Sequence, residues 1–233
     1  IYVLDSPILT NSQFKKFKKF FSKKIKVIDC TFDIEGSLRE RIRLIREEAE
    51  TAVREGSTCL VLSDKNISSQ KASIPSILTV GAVHSHLVKH GLRGYCSLNV
   101  ECSDAMDTHS FAILIGVGAT TVSPYLAIDS IYQRFEKKLF GKSDFESCVI
   151  KFKKSIDAGL LKIMSKMGIS VISSYRGGCN FEAVGLSRAI VSDYFSGMSS
   201  RISGIGIIGI EKKIKELHEK FNAKNVFSLP IGG

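Results

Sequence analysis

The chain has 233 residues, enough for one large α/β domain or two small ones. Apolar residues make up 44% and charged residues 24%, a balance that excludes a disordered chain and is typical of globular proteins. No apolar run approaches the ~20 residues that cross a bilayer, so no membrane span is predicted. The first residues lack an initiator Met and a signal pattern, and the last five resemble the start of a loop. We therefore expect part of a longer protein.

The net charge of +10 is concentrated near the start of the chain. Seven lysines and no acidic residue lie between positions 11 and 26, so the charge does not indicate a nucleic-acid-binding domain. Residues 11–24 predict a helix with Phe14, Phe17 and Phe21 on a common face. Such a helix could bind a membrane surface or nucleic acid. The favoured interpretation is a docked helix with its lysines in solvent, so neither partner is predicted.

Four short apolar segments, each followed by a helical pattern, organise the next part of the chain. The predicted strands begin near residues 25, 58, 95 and 120. The first of the helices has the capping-box residues Ser37 and Glu40, an apolar residue at every third or fourth position, and Gly56 as its stop. Because the strands alternate with helices and are continuously apolar, the pattern predicts an α/β fold with a mostly parallel sheet.

The remaining part of the chain is predicted to be mostly helical. The predicted helices cover residues 150–166, 180–185, 187–195 and 211–221. Residues 140–147 predict a surface connection, and residues 169–172 predict a short strand. Residues 196–206 are rich in Ser and Gly and predict a loop.

Six cysteines are spread along the chain. They occupy positions 30, 59, 96, 102, 148 and 179. None forms a CxxC pair or flanks a His at zinc-ligand spacing. This pattern favours reduced thiols in an intracellular protein of the cytoplasm or an organelle.

Three acidic residues, Asp29, Asp64 and Glu101, stand at or just after the ends of predicted strands. Function in parallel α/β folds gathers at the carboxyl ends of strands, which would make these residues a shared polar site. The favoured alternative is that each carboxylate accepts backbone N–H bonds at the next turn. His109 follows the third strand and could act as a general base. No nucleophile is evident from the spacing, so a structural, hydrogen-bonded His109 is favoured.

Two histidines, His86 and His90, share one face of the helix predicted over residues 75–90. Histidines four residues apart can hold zinc, but Leu87 stands where zinc-protease helices place a Glu. The spacing reveals no third ligand, so no metal site is predicted.

The tripeptide Arg176-Gly177-Gly178 lies between the predicted strand at 169–172 and a predicted helix. Glycines allow close backbone approach, a helix start offers free N–H groups, and Arg adds positive charge. A phosphate or carboxylate could therefore bind here. A tight structural turn is the favoured alternative.

Residues 159–187, GLLKIMSKMGISVISSYRGGCNFEAVGLS, resemble the large subunit of glutamate synthase, which carries a similar MSKMGIS, YRG, FEA and GLS series. Other stretches agree in order with the same family, namely residues 4–9, 62–64, 74–76, 81–84, 116–126 and 204–206. One departure is Ser123, which replaces an Asn of the family. The resemblance runs nearly from end to end, although no single motif would suffice.

The resemblance implies a fold and a place in a larger enzyme. Glutamate synthases contain a glutamine amidotransferase domain, a central domain, an FMN-binding barrel and a C-terminal β-helix, and this chain resembles the central domain. The implied fold is α/β, like a rudimentary or incomplete TIM barrel. The implied single domain covers residues 1–233. Its parts are a linker and basic helix at 1–24, a βα core at 25–195, and a loop and helix leading toward the FMN domain at 196–233.

The resemblance also implies a connecting function. The implied partners are the amidotransferase and FMN domains of the same polypeptide, between which ammonia travels. The parent enzyme would use FMN, an iron–sulfur cluster and a reduced electron donor to make glutamate from glutamine and 2-oxoglutarate. No catalytic residue, metal or cofactor is assigned to this fragment, which we expect to be inactive alone and prone to self-association. The alternative is an autonomous barrel-like enzyme that binds FMN or another phosphate-bearing ligand at residues 176–178.

Overall fold

The computed structural model describes residues 2–222. Within that range the strands are β1 (Ile25–Asp29), β2 (Thr31–Asp33), β3 (Cys59–Ser63), β4 (Lys71–Ser73), β5 (Ser97–Glu101) and β6 (Thr121–Ser123). The helices are α1 (Asn11–Phe20), α2 (Leu38–Arg54), α3 (Ser76–Lys89), α4 (Thr108–Gly116), α5 (Tyr125–Glu136), α6 (Phe145–Lys166), α7 (Ile172–Tyr175), α8 (Arg188–Tyr194) and α9 (Ile207–Asn222). None of these helices is long and apolar enough to span a bilayer.

The central sheet has the order β1-β3-β5-β6, and all its neighbouring strands are parallel. Each strand therefore lies beside the one that precedes it in the βα series, as consecutive strands do in a TIM barrel. The predicted α/β fold with a mostly parallel sheet, resembling an incomplete barrel, is confirmed. The separate antiparallel pair β2-β4 was not predicted, because three-residue strands are too short to show a periodic pattern.

Helix α2 covers one face of the sheet with the apolar stripe that its sequence predicts. The hydroxyl oxygen of Ser37 accepts a hydrogen bond from the Glu40 backbone N–H, which begins the helix. Gly56, with φ of 95°, follows its end. The predicted stripe residues are all buried: Leu38, Ile42, Ile45, Ala49, Ala52 and Val53. Each large aliphatic side chain in this stripe contributes about 1.5–3 kcal/mol through burial.

The opposite face of the sheet is covered by α1. Phe14 and Phe17 are buried and pack in a cluster with Cys59 and Val61 of β3. The side chains of β3 alternate between the two faces, so Leu60 belongs to the larger core on the other side. The lysines of α1 lie at its exposed or half-exposed positions. The prediction of a docked helix with a solvated lysine face is confirmed.

The segment before α1 extends the sheet beyond β6. Ile8 forms a parallel bridge with Val122, whose N–H donates to the Pro7 carbonyl at 2.8 Å. Leu9 N–H in turn donates to the Val122 carbonyl at 2.9 Å. The Ser6 hydroxyl donates to Asp157 of α6 at 2.6 Å. Residues 6–9 therefore occupy the strand position next to β6.

The strand predicted over residues 169–172 is wrong. Gly168, with φ of 70°, ends α6, and the chain then enters the one-turn helix α7. Ile169 and Ile172 pack against the main core as partly buried side chains. The edge of β6 is already occupied by residues 7–9, so this apolar segment has no strand partner there.

Two further predictions differ from the structure. Helix α6 begins at Phe145, inside the connection predicted over 140–147, because the Asp144 carboxylate accepts the Ser147 N–H at 2.9 Å and caps the helix. The helix predicted over 180–185 is absent from the described chain. Glu182 in that stretch forms an isolated bridge with Ser199, and Leu186 just after it forms another with Ile205. The predictions at 187–195 and 211–221 correspond to α8 and α9, and those that concern residues 223–233 lie outside the described residues.

Candidate functional site

Glu101 is the centre of a polar cluster at the carboxyl end of the sheet. Its side chain is 5% exposed. One carboxylate oxygen accepts a hydrogen bond from the Ser63 hydroxyl at 2.9 Å. The other lies 3.3 Å from Nζ of Lys18 on α1 and 3.1 Å from Nζ of Lys65. Two partly exposed lysines therefore neutralise a buried carboxylate, which costs less than an unpaired buried charge.

Asp64 is buried beside this cluster and has a separate set of partners. Its Oδ2 accepts hydrogen bonds from the Ser73 hydroxyl at 3.0 Å and from the Ser103 N–H and hydroxyl at 3.0 and 2.6 Å. Its Oδ1 is buried and has no hydrogen-bond partner among the described residues. Burial, and then the charge of Asp64, raises the pKa of the Tyr125 phenol. This carboxylate, directly after β3, therefore binds the last residue of β4 and the loop that follows β5.

Asp29 lies at the end of β1, and its carboxylate oxygens accept hydrogen bonds from nearby side chains and backbone. Its Oδ1 accepts bonds from the Thr31 N–H at 3.0 Å and hydroxyl at 2.8 Å, and its Oδ2 accepts one from Asn66 at 3.1 Å. Partial burial acts to raise the pKa of Asp29, but the hydrogen bonds from Asn66 and Thr31 outweigh it and lower the pKa.

The sheet thus brings the three predicted acids to one edge, but each binds its own donors. Asp29 and Asp64 accept backbone N–H bonds, as the structural interpretation predicts, whereas Glu101 is held by side chains. Sequence reasoning missed Lys18 and Lys65, which approach Glu101 from α1 and from the loop after β3. Lys18 is 83 residues from Glu101 along the chain, so no local spacing could reveal that contact.

His109 lies away from this edge, in the first turn of α4. It is exposed and lines an apolar groove whose lining also includes Phe181 and Glu182. The carboxylate closest to it in sequence, Asp107, is the helix cap and accepts the Ser110 N–H at 2.8 Å. The geometry therefore favours neither a general base nor the predicted hydrogen-bonded role for His109.

The tripeptide Arg176-Gly177-Gly178 forms a turn, but not the predicted strand-turn-helix. It follows the one-turn helix α7, and the next helix, α8, begins ten residues after Gly178. Gly177 has φ of 67°, which favours glycine. No helix N-terminus is therefore available to an anion, so that part of the prediction is wrong.

A cluster of basic side chains nevertheless lies at this turn. Nε of Arg93 donates to Nδ1 of His84 at 3.1 Å, and a Cβ added at Gly177 would lie 3.1 Å from the His84 ring. Nε of Arg176 is buried and has no hydrogen-bond partner among the described residues. Burial, and then the charge of Arg93, lowers the pKa of His84 to about 4. Sequence reasoning missed Arg93 and His84, which precede the turn by more than 80 residues.

An apolar groove of about 310 Å³ lies between α3, α4 and the chain from Phe181 to Ile210. Its lining includes Leu78, Ile113 and Phe195. Val184 in this lining is 64% exposed, and Ile208 of α9, two residues before the lining residue Ile210, is 78% exposed. Grouped exposed apolar side chains of this kind mark surfaces that other protein segments cover.

Residues 1–187 match the family model described as "Glutamate synthase central domain". This chain belongs to the glutamate synthase central-domain family. The match includes the sheet, helices α1 to α7 and the turn at Arg176. The resemblance inferred from the sequence is therefore confirmed.

Curated relatives of this central domain are large glutamate synthase chains. The chain is 51% identical over 233 residues to the "Glutamate synthase [NADPH] large chain" of Azospirillum brasilense, covering 99% of this chain and 15% of that protein. It is 40% identical to the corresponding chain of Bacillus subtilis, covering 93% of this chain and 14% of that one. It is also 40% identical to "Ferredoxin-dependent glutamate synthase 1" of Arabidopsis thaliana, covering 87% and 13%. The chain thus spans about one seventh of these proteins.

Among solved structures, the central domain matches a complex of dihydroorotate dehydrogenase (DHODH) with ferulenol from Eimeria tenella. The TM-score is 0.44 at 13% identity, over 67% of this chain and 38% of that one. This likeness is too weak to inform function.

Proposed function

We propose that this chain is a structural and coupling domain of a glutamate synthase, connecting a glutamine amidotransferase domain to an FMN-binding domain. The observation that carries the proposal is the family match over residues 1–187 in relatives about seven times longer. The complete enzyme would make glutamate from glutamine and 2-oxoglutarate, with FMN, an iron–sulfur cluster and a reduced donor. The names of the relatives specify NADPH, NADH or ferredoxin.

The polar groups at the carboxyl edge of the sheet support a structural role. In a barrel enzyme this edge carries the catalytic side chains, which must remain free to contact a substrate. Here Glu101 is paired with two lysines and Ser63, and Asp29 is fully engaged by Thr31 and Asn66. Helix α1 also covers the face of the sheet that corresponds to a barrel interior.

The apolar groove supports an interface with a neighbouring domain of the same polypeptide. Val184 in the groove and Ile208, two residues before its lining residue Ile210, are 64% and 78% exposed, as expected for a surface that another domain covers. Without that domain we expect the isolated chain to self-associate through this groove.

A matched pair of substitutions tests this function. Val184 in the groove and Leu139 between α5 and α6 are 64% and 65% exposed, so a charge at either perturbs a similar area. In the complete polypeptide, Val184→Glu should release more ammonia per glutamate formed, while ammonia-dependent glutamate synthesis persists and Leu139→Glu has no effect. In the isolated chain, Val184→Glu should reduce self-association measured by light scattering. An unchanged ammonia-to-glutamate ratio, flavin that co-purifies stoichiometrically with the isolated chain, or amidase activity of that chain would contradict the proposal.

A second candidate function is binding of FMN or another phosphate-bearing ligand at the Arg176–Gly178 turn by an autonomous enzyme. It is favoured by the buried Arg176 Nε, which has no partner among the described residues, and by the nearby Arg93. Thermal unfolding with FMN and with inorganic phosphate separates the candidates, since a ligand that binds the native state raises the melting temperature. A saturable rise that Arg176→Met abolishes would favour this candidate, and no rise would exclude it.

A further inference from the structure

Helices α2 and α3 bring three potential metal ligands together. Glu50 comes from α2, His86 from α3, and His90 from the residue that ends α3. One ligand atom from each lies within 4.8 Å of the others. Oε2 of Glu50 is 2.7 Å from Nε2 of His86 and 4.0 Å from Nε2 of His90. The third ligand that the sequence did not reveal is therefore supplied by α2.

The spacing of these atoms fits a tetrahedral zinc ion. Zinc binds His nitrogen at about 2.0–2.1 Å and carboxylate oxygen at about 2.0–2.2 Å, which places neighbouring ligand atoms roughly 3.3–3.5 Å apart in a tetrahedron. The two observed distances, 2.7 and 4.0 Å, lie on either side of that value. His90 is 36% exposed, so its ring has room to rotate toward the position that equalises them.

Neighbouring groups orient two of the ligands for metal binding. Nδ1 of His90 lies 2.8 Å from the His86 carbonyl oxygen, so it carries the proton and leaves the lone pair on Nε2, which points toward Glu50. Arg54 donates to Oε1 of Glu50 at 2.8 Å, so Oε2 remains directed at the histidines. A ring nitrogen bonded to a carbonyl and a carboxylate bonded to an Arg are typical outer partners of metal ligands.

We propose that Glu50, His86 and His90 bind one zinc ion, with water in the fourth position. The ion would replace the hydrogen bond between His86 and Glu50 and would join α2 to α3. All three ligands are partly exposed, with side chains between 18% and 36% accessible, so the ion can enter from solvent. Two imidazole ligands favour zinc, copper or nickel over magnesium and calcium, which prefer oxygen ligands alone.

The test begins with calorimetric titration of zinc chloride into the purified 233-residue chain, carrying Cys179→Ser to remove its exposed thiol. We expect one ion per chain. At a zinc concentration 100-fold above the Kd, the melting temperature should rise by about 5–10 °C and return to its starting value with EDTA. Cobalt bound at the site should show the strong visible absorption of four-coordinate geometry.

Variants assign the ion to these residues. His90→Ala, which removes the most exposed ligand, and Glu50→Gln should each weaken zinc binding by more than about tenfold, since even loss of an outer partner costs 10–100-fold. His109→Ala and Glu47→Gln are the matched controls on exposed positions of α4 and α2, and they should bind zinc normally. Absence of saturable zinc binding, or equal binding by the double variant His86→Ala/His90→Ala, would overturn the proposal.

Discussion

Gly81 lies in the middle of α3, where alanine would ordinarily be the better helix former. The helix is packed so closely against the end of α8 that a Cβ at this position would lie 2.3 Å from Cε1 of Phe195 and 2.7 Å from the Tyr194 carbonyl oxygen. Phe195 is itself buried, and the Tyr194 carbonyl accepts a hydrogen bond from the Ser85 hydroxyl at 2.9 Å. Neither neighbour can move away without losing a contact.

These contacts decide whether Gly81→Ala raises or lowers the free energy of unfolding. Helix propensity would favour alanine by about 1 kcal/mol. Overpacking costs about 1–3 kcal/mol, and the backbone contact with Tyr194 places this site at the upper end. The expected net loss is about 1–2 kcal/mol in the free energy of unfolding. For a chain of this length, that loss lowers the melting temperature by roughly 2–8 °C.

Thermal and urea unfolding of the 233-residue chain measure this loss directly. Gly94→Ala is the control, because a methyl group added there meets no atom within 4 Å. Its melting temperature should stay near that of the unmodified chain. If Gly81→Ala unfolds at the same temperature as the unmodified chain or higher, the close packing of α3 against α8 is refuted.

Three other outcomes are expected. Ser85→Ala should destabilise the chain by about 1–3 kcal/mol in urea unfolding, because the buried hydroxyl bonds the Tyr194 carbonyl and the Ser196 N–H, and both lose their partner. The free energy of unfolding should fall by up to about 3 kcal/mol as pH drops from about 6.5 to about 4, since the pKa of His84 is lowered to about 4 and the unfolded chain binds the proton more readily. His84→Gln should reduce this pH-dependent fall in the free energy of unfolding, and an equal fall in the variant would contradict the role of His84. A thiol reagent should modify Cys179 rapidly and the five buried cysteines slowly, and several fast thiols would argue against the core as described.

Local sequence patterns predicted the first half of the fold because they favour the same helices and strands that packing in the core favours. The stripe on α2 is buried at every predicted position, and β1 begins at residue 25 as predicted. The apolar segment at 169–172 has the composition of a strand, but it can form one only if the edge of β6 is free to pair with it. Residues 7–9 already pair with that edge, although they precede β6 by more than 110 positions. No local sequence window includes both segments.

The candidate sites, too, were predictable only in part. The carboxylates at the strand ends were predictable, because parallel topology places strand ends on one edge. Their partners were not, since Lys18 reaches Glu101 from another element. The two histidines of α3 were evident from their spacing, whereas Glu50 joins them only through the packing of α2 on α3.

The pairing of residues 7–9 with β6 has a practical consequence for anyone who shortens this protein. A version that starts at α1 would retain every named strand and helix, yet it would leave the N–H and C=O groups of Val122 on an open sheet edge. It would also remove Ile8 and Leu9, which are 2% and 1% exposed and belong one to each core cluster. Residues 6–9 thus act as an outer strand of the sheet, and a shortened chain that begins after them should precipitate through edge-to-edge pairing.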